Sequence, residues 1–340
     1  MKSVDHGLLI LLATGTVAMT QAHAQYPVKP VRLIAPFPPG GGADAFARII
    51  GPPLSEALGR PVVVENRSGA GGNIGAEIAA KSPPDGYTLL VGNVSHAFNV
   101  TLYSRLNYDF IKDFAPVSLV ASTPTVLVVH PSVPVKSVKD LIGLARARPG
   151  YLDYVSGGSG SPAHLAGVLF ISMAGVKMNH IPYKGGGPSV VALMGGEGSV
   201  GFPSMPTVIQ HVQSGRLRGL AVSSARRSLS MPNLPTTSEA GVTGYEADNW
   251  YGLLAPTGTP NEVISRLQAE SMKALKRQDV KERFDVAGLE PIGTTPEQFG
   301  AHIRSETTKW AKVVKTAGAR ADECRLRPNR ADTRWHVTEA

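Results

Sequence analysis

The sequence predicts an α/β protein built as two doubly wound α/β domains joined by a two-stranded hinge. Three observations carry that expectation. From residue 31 onward, β-branched runs alternate with segments of helical spacing, the pattern of a sheet covered by helices. The series breaks inside "APVSLVASTPTVLVVHP" (Ala115 to Pro131), where two β-rich runs lie end to end and a new βα series begins. Finally, "NWYGLLAPTGTP" (Asn249 to Pro260) brings the chain back before two closing amphipathic helices. The expected partition is 25–122 plus 250–320 for a discontinuous first domain and 123–249 for an inserted second one. Two crossings between domains allow closure around a ligand.

In chain order, "VRLIAPF" (Val31 to Phe37) reads as a buried parallel strand. "DAFARIIGPPLSEALG" follows with helical spacing, Asp44 serving as N-cap or first-turn acid. "PVVVEN" is a second strand, "NIGAEIAAKS" a helix after a glycine loop, and "YTLLVGN" a third strand ending at Asn93. The second series runs "VKDLIGLARARPG" (helix), "LDYVSG" (strand), "SPAHLAGVLFISMAG" (helix), "MNHIPYKG" (strand), "GPSVVALMGGEG" (helix) and "RLRGLAVSS" (strand). The closing helices are "PNEVISRLQAESMKALK" and "PEQFGAHIRSETTKWAKVVKTAG".

Composition narrows the class. Of 340 residues, 42% are hydrophobic and 18% charged, as in ordinary globular proteins. The first 24 read as a secretory leader: Lys2, an apolar run from Leu8 to Ala18, and "AHA" before Gln25. That run is shorter than the roughly 18 residues a membrane span needs. Cleavage is expected after Ala24, with release into a bacterial periplasm. The single cysteine, Cys324, excludes an internal disulfide framework, and no Cys/His spacing suits a metal. The net charge of +8 is scattered, without basic runs or interleaved aromatics, so nucleic acid is not the expected partner. A mild positive field that draws small anions is.

Four loops lie between a strand and a helix, where open α/β sheets bind ligands. In "PFPPGGGAD", Gly40, Gly41 and Gly42 let backbone N–H groups converge at a helix start, where an anion is favoured. Asp44 would repel that anion, which points to contact through amides or bridging water. In "ENRSGAGGNIGAE", Gly69, Gly71 and Gly75 come close to a dinucleotide fingerprint, but not on the first strand and without the acid about 20 residues on. A structural turn is the alternative, and an exported enzyme holding a nucleotide cofactor there is the runner-up function. "SGGSGSPAH" (Ser156 to His164) is a neutral cradle of amides and hydroxyls. Its Ser159 lacks the G-x-S-x-G spacing of a nucleophile elbow, and His164 is a base or a first-turn residue facing cleft or solvent. "IPYKGGGPS" offers the Tyr183 hydroxyl and the charge of Lys184, unless that lysine is merely solvated. Two glycine-rich cradles in different domains, without a paired acid and base, predict capture of a small anion and no catalysis, cofactor or metal.

These residues resemble the Bug (TctC-like) solute-binding receptors of tripartite tricarboxylate transport systems. The likeness runs from "YPVKPVRLIAPFPPGGGADAFAR" through "VVVENRSGAGGNIGAEIAAKSPPDGYTLLVGN", "HIPYKGGGPSVVALMGGE" and "GRLRGLAVSSARRSLSMPNLPTTSEAG" to "WYGLLAPTGTP" and "WAKVVKTAG". It implies a monomeric periplasmic-binding-protein (Venus flytrap) architecture that closes on a di- or tricarboxylate. It also implies delivery to TctA/TctB-like permease subunits or to a membrane sensor. The ligand-binding set it suggests is Phe37, Gly41, Gly42, Ala43, Asp44, Asn93, Ser156, Gly157, Gly160, Ser161, His164, Tyr183, Lys184 and Phe202. Two departures stand out. Phe202 is followed by Pro203, where many relatives have Asp, which predicts preference for ligands without an amine. The chain also continues past "WAKVVKTAG" into an arginine-rich stretch from Ala321, expected to be an idle, disordered tail.

Overall fold

The computed structural model describes residues 26–321; the expected leader and the tail beyond Ala321 lie outside them. Eleven strands fall into two sheets among the described residues. The first holds β1 (Val31–Ala35), β2 (Val62–Asn66), β3 (Thr88–Asn93), β4 (Phe114–Thr123), β10 (Asn249–Pro256) and β11 (Glu290–Pro291), in the order β11-β4-β10-β3-β1-β2. The second holds β5 (Val126–Val129), β6 (Asp153–Ser156), β7 (Asn179–Pro182), β8 (Val200–Gly201) and β9 (Arg218–Val222), in the order β7-β6-β8-β5-β9.

The two orders are the same pattern. In each sheet the first strand of a βαβαβ run is central, the second lies outside it, and one strand from the far side of a crossing is inserted antiparallel. In the first sheet that strand is β10, paired antiparallel with β3 and β4. In the second it is β5, paired antiparallel with β8 and β9. The crossings run side by side. β4 ends at Thr123, paired with Asn249, and β5 begins at Val126, paired with Val222. Between them Thr125 and Ser223 hold each other: the Ser223 N–H donates to Thr125 O at 2.9 Å, and the Thr125 N–H donates to the Ser223 hydroxyl at 2.8 Å.

Helices cover both faces of both sheets. On β1, alternation sends Val31, Leu33 and Ala35 to one core and Ile34 to another. The first core meets α1 (Gly42–Leu58), α8 (Asn261–Lys276) and α9 (Gln278–Ala287) through Phe46, Ile50, Leu267 and Phe284. The second meets α2 (Asn73–Ala80), α3 (Val94–Leu102) and α10 (Pro296–Ala317) through Ala76, Phe98 and Trp310. Burial on both faces explains why these strands read as unbroken apolar runs. In the second sheet, α4 (Val138–Ala147) and α5 (Pro162–Ala174) cover one face with Leu141 and Phe170. Leu193 and Val208, on α6 (Gly186–Met194) and α7 (Met205–Gln213), pack against the other.

α9 was not among the helices expected from sequence, and it compensates a defect in α1. Pro52 and Pro53 interrupt α1, and Pro52 has no N–H for the carbonyl of Arg48 four residues back. Arg283 of α9 supplies the missing donor, its guanidinium 3.0 Å from Arg48 O. Among the described residues no helix is long and apolar enough to cross a membrane.

Candidate ligand cleft

A cavity of about 440 Å³, including its open mouth, lies between the two sheets at the carboxyl ends of their parallel strands. Five helices begin on it. α1 contributes Gly41, Gly42 and Ala43; α3 its cap, Asn93; α5 Ser161, Pro162 and Ala163; α6 Gly186 and Ser189; α7 Ser204 and Thr207. Phe37, Gly157 and Pro203 fill the loops, and Asn249 and Tyr251 rise from β10. No Asp, Glu, Lys, Arg or His lines it among the described residues. Each helix start brings unpaired N–H groups and about half a positive charge. Five together make the cavity attractive to an anion without a cationic side chain.

The local sequence explains these caps. Asn93 accepts from the Ser95 N–H at 3.1 Å, while its own N–H donates to His96 Nδ1 at 3.1 Å, a capping box with histidine in place of the usual glutamate. Burial pushes the His96 imidazole down to about 4, so it is neutral at pH 7. Ser161 caps α5 by accepting from the His164 N–H at 3.3 Å, with Pro162 in the first helical position.

Of the residues expected from sequence, Phe37, Gly41, Gly42, Ala43, Asn93, Gly157 and Ser161 line this cavity together. Tyr183 and Lys184 stand in an adjoining opening with Gly69 to Gly72 and Tyr103; the Tyr183 hydroxyl donates to Glu197 at 2.9 Å. The other five point elsewhere. Gly41 is the N-cap of α1 and Asp44 its first-turn acid, the second of the two expected roles; the buried Asp44 carboxylate accepts from Gly40 N–H, Arg48 and Asn66 at 2.9–3.0 Å. Burial raises its pKa, but these bonds outweigh that and hold it below the ordinary value. The feared repulsion is thereby turned away from the cavity. Ser156 lies beneath its loop, accepting from Gly158 N–H at 3.1 Å with His180 Nε2 at 2.6 Å. His164 faces neither cleft nor solvent: its ring stacks on His180 at 4.4 Å, and its Nδ1 accepts from Gly160 N–H at 3.3 Å. Burial brings His164 to about 4, and burial together with His164 brings His180 to about 3. Phe202 is core, packed on Phe170 and Tyr154. Gly160 abuts Asn99 and Tyr103 of the facing half.

That last contact shows the two halves closed on one another. The Tyr103 hydroxyl donates to Ser159 O at 3.3 Å, and the Gly71 backbone lies against the carbonyls of Ser159 and Gly160. Gly185 abuts Pro38 in the same way. The glycine loop that resembled a dinucleotide fingerprint is therefore occupied in contact between halves. Sequence reasoning missed Ser189, Ser204, Thr207, Asn249 and Tyr251. The signal for one of them was available: Ser189 is a hydroxyl in the first turn of the helix expected at "GPSVVALMGGEG", whereas β8 and α7, which position Ser204 and Thr207, were not among the expected elements.

The geometry agrees with what the chain is similar to. A family model described as "Tripartite tricarboxylate transporter family receptor" (TctC) matches residues 46–319. Protein BugT of Bordetella pertussis is 41% identical over 313 residues, covering 92% of this chain and 96% of BugT. Among solved structures, R. palustris Rpa4515 with adipate superposes with a TM-score of 0.83 at 40% identity, covering 86% of this chain and 98% of that one. MatC from Rhodopseudomonas palustris with bound malate gives 0.81 at 30%, covering 85% and 100%. With a family match across most of its length and a relative 41% identical over 92% of it, the chain belongs to the TctC family of tripartite tricarboxylate transporter receptors.

Proposed function

We propose that this protein is a periplasmic receptor that captures a small di- or tricarboxylate between residues 25–122 plus 250–320 on one side and 123–249 on the other. It would act as a monomer, exported by a leader cleaved after Ala24, and would pass its ligand to TctA/TctB-like permease subunits or report it to a membrane sensor. One observation carries the reading: five helix amino ends converge on a cavity without a charged side chain. That arrangement rewards a carboxylate. It supplies neither a nucleophile paired with a base nor a proton carrier, so capture without chemistry is the function it favours over an exported enzyme. The ligands of the adipate- and malate-bound relatives belong to the same class.

Selectivity follows from the wall. Pro203 lines the cavity with no side-chain acceptor, and no carboxylate faces a ligand ammonium among the described residues. Plain acids should bind more tightly than their α-amino counterparts. The test is thermal unfolding of the mature protein against succinate, malate, adipate, citrate, aspartate and glutamate. A ligand at a thousand times its Kd should add about 4 kcal/mol of stability, at roughly 2–4 °C per kcal/mol for domains of this size. A shift with plain acids is expected. No shift with any of them, in protein freed of co-purified ligand, would refute the receptor reading, and tighter binding of aspartate than succinate would refute the role of Pro203.

A further inference from the structure

Asn249 and Tyr251 stand one residue apart on the cavity side of β10, the strand that returns from the second sheet. The Asn249 amide has a defined orientation. Its Oδ1 accepts from the Trp250 N–H at 3.0 Å, so Nδ2 points at the Tyr251 hydroxyl, 2.7 Å away, and at the Ser204 hydroxyl, 3.5 Å away. Both hydroxyl oxygens therefore face a donor. A hydroxyl that accepts in this way directs its own proton elsewhere. Ser204 acts on the phenol in the sense of a donor to its oxygen, favouring the phenolate; with Asn249 and Ser204 both donating to that oxygen, the phenol's own proton is left for the cavity. Burial raises the Tyr251 phenol well above its ordinary pKa, so it stays protonated at neutral pH.

The phenol is also held in place. Its ring stacks on Phe46 with centroids 5.3 Å apart and planes 15° from parallel. Its oxygen fits against Gly42, the first residue of α1, where a Cβ would collide with it. A side-chain donor is thus delivered to the place where the α1 backbone already presents its unpaired N–H groups.

We propose that Tyr251, aligned by Asn249 and paired with Ser204 from the other half, donates a hydrogen bond to a carboxylate oxygen of the bound ligand. This rests on the receptor reading and names side chains that read the anion. Asn249 is the positioning residue. Ser204 comes from the second half but sits at the crossing, bridged to Thr125, so the donor group draws on both halves there.

The test is calorimetric titration of the mature protein with succinate and adipate, with the melting temperature of the unliganded protein as a second readout. Tyr251→Phe keeps the stacked ring and should weaken binding about tenfold or more, the loss expected for a hydrogen bond to a charged group, without lowering the unliganded melting temperature. Asn249→Ala should also weaken binding, but should add nothing in the Tyr251→Phe background. Unchanged affinity in Tyr251→Phe overturns the proposal. So does additive loss in the double variant, because Asn249 would then act independently of the phenol. If Tyr251→Phe lowers the unliganded melting temperature, Asn249→Ala alone decides: weaker binding at normal stability supports the assignment, and normal binding overturns it. Wild-type protein that binds neither acid, nor any other in the thermal panel, overturns the receptor reading and this assignment with it. Wild-type binding with an unaffected Tyr251→Phe variant overturns this assignment alone.

Discussion

Replacing Gly71 with alanine should separate closure from folding. Gly71 has φ 64°, and a Cβ built there would stand 2.8 Å from Gly160 O and 2.9 Å from Ser159 O. Both are backbone atoms of the facing half and cannot rotate away. The nearer is about 0.6 Å short of the 3.4 Å at which ordinary contact begins. Overpacking of this kind costs about 1–3 kcal/mol, and here only the closed state bears it, because opening removes the obstacle. A receptor that must close to hold its ligand should lose the same free energy from binding, roughly five- to 150-fold in Kd. Left-handed backbone strain adds a further cost of about 1–2 kcal/mol, open or closed. Gly59 provides the control: its φ is 67° and nothing lies within 4 Å of its Cβ position. Gly59→Ala should therefore lower the melting temperature about as much as Gly71→Ala while leaving the calorimetric Kd unchanged. Equal affinities for Gly71→Ala and wild type, or equal losses for both variants, would refute the reasoning.

Two further outcomes are expected. The buried His96 imidazole titrates at about 4 in the folded protein and near 6.5 unfolded. Protonation therefore favours unfolding: the stability contribution is complete above about pH 6.5 and is lost as pH falls toward 4, at about 1.4 kcal/mol per pH unit. His96→Gln keeps an acceptor for the Asn93 N–H, so its stability deficit against wild type should shrink by about that slope between pH 6 and 5 in urea titrations; a constant deficit would count against it. Thr295 caps α10 by accepting from Gln298 N–H at 3.3 Å in a capping box. Thr295→Ala should cost about 1 kcal/mol in urea unfolding with carboxylate affinity unchanged, and a change in affinity would show that α10 influences the cleft.

Both glycine cradles, at Phe37 to Asp44 and Ser156 to His164, were legible because they are local: a strand, a turn rich in glycine, and a helix start within a dozen residues. The alternation of strands and helices was legible for the same reason. Two kinds of information were not. The direction a loop side chain takes depends on what lies beneath it, so Ser156 and His164 read like cleft residues although both point into a buried cluster with His180. Contacts across long chain separations have no local pattern. Tyr251 enters the cavity because β10 inserts between β3 and β4, placing Tyr251 opposite Asn93, and because Gly42 leaves room for its hydroxyl. The strand itself was evident in "NWYGLLAP"; its neighbours were not.

The position of β10 also sets the leverage of the molecule. Asn249 pairs with Thr123 at the point where the chain crosses, so the donor group of Asn249, Tyr251 and Ser204 sits at the fulcrum. The lip at Gly71 follows β2, three strands away in the sheet, a lever arm of about 14 Å at the usual strand spacing. If the halves pivot at these crossings, each 10° of gape moves that lip about 2.5 Å while the floor hardly shifts. An arriving acid meets a nearly finished floor first and the lip seals last. Recognition is then the business of the fulcrum, and residence time that of the rim.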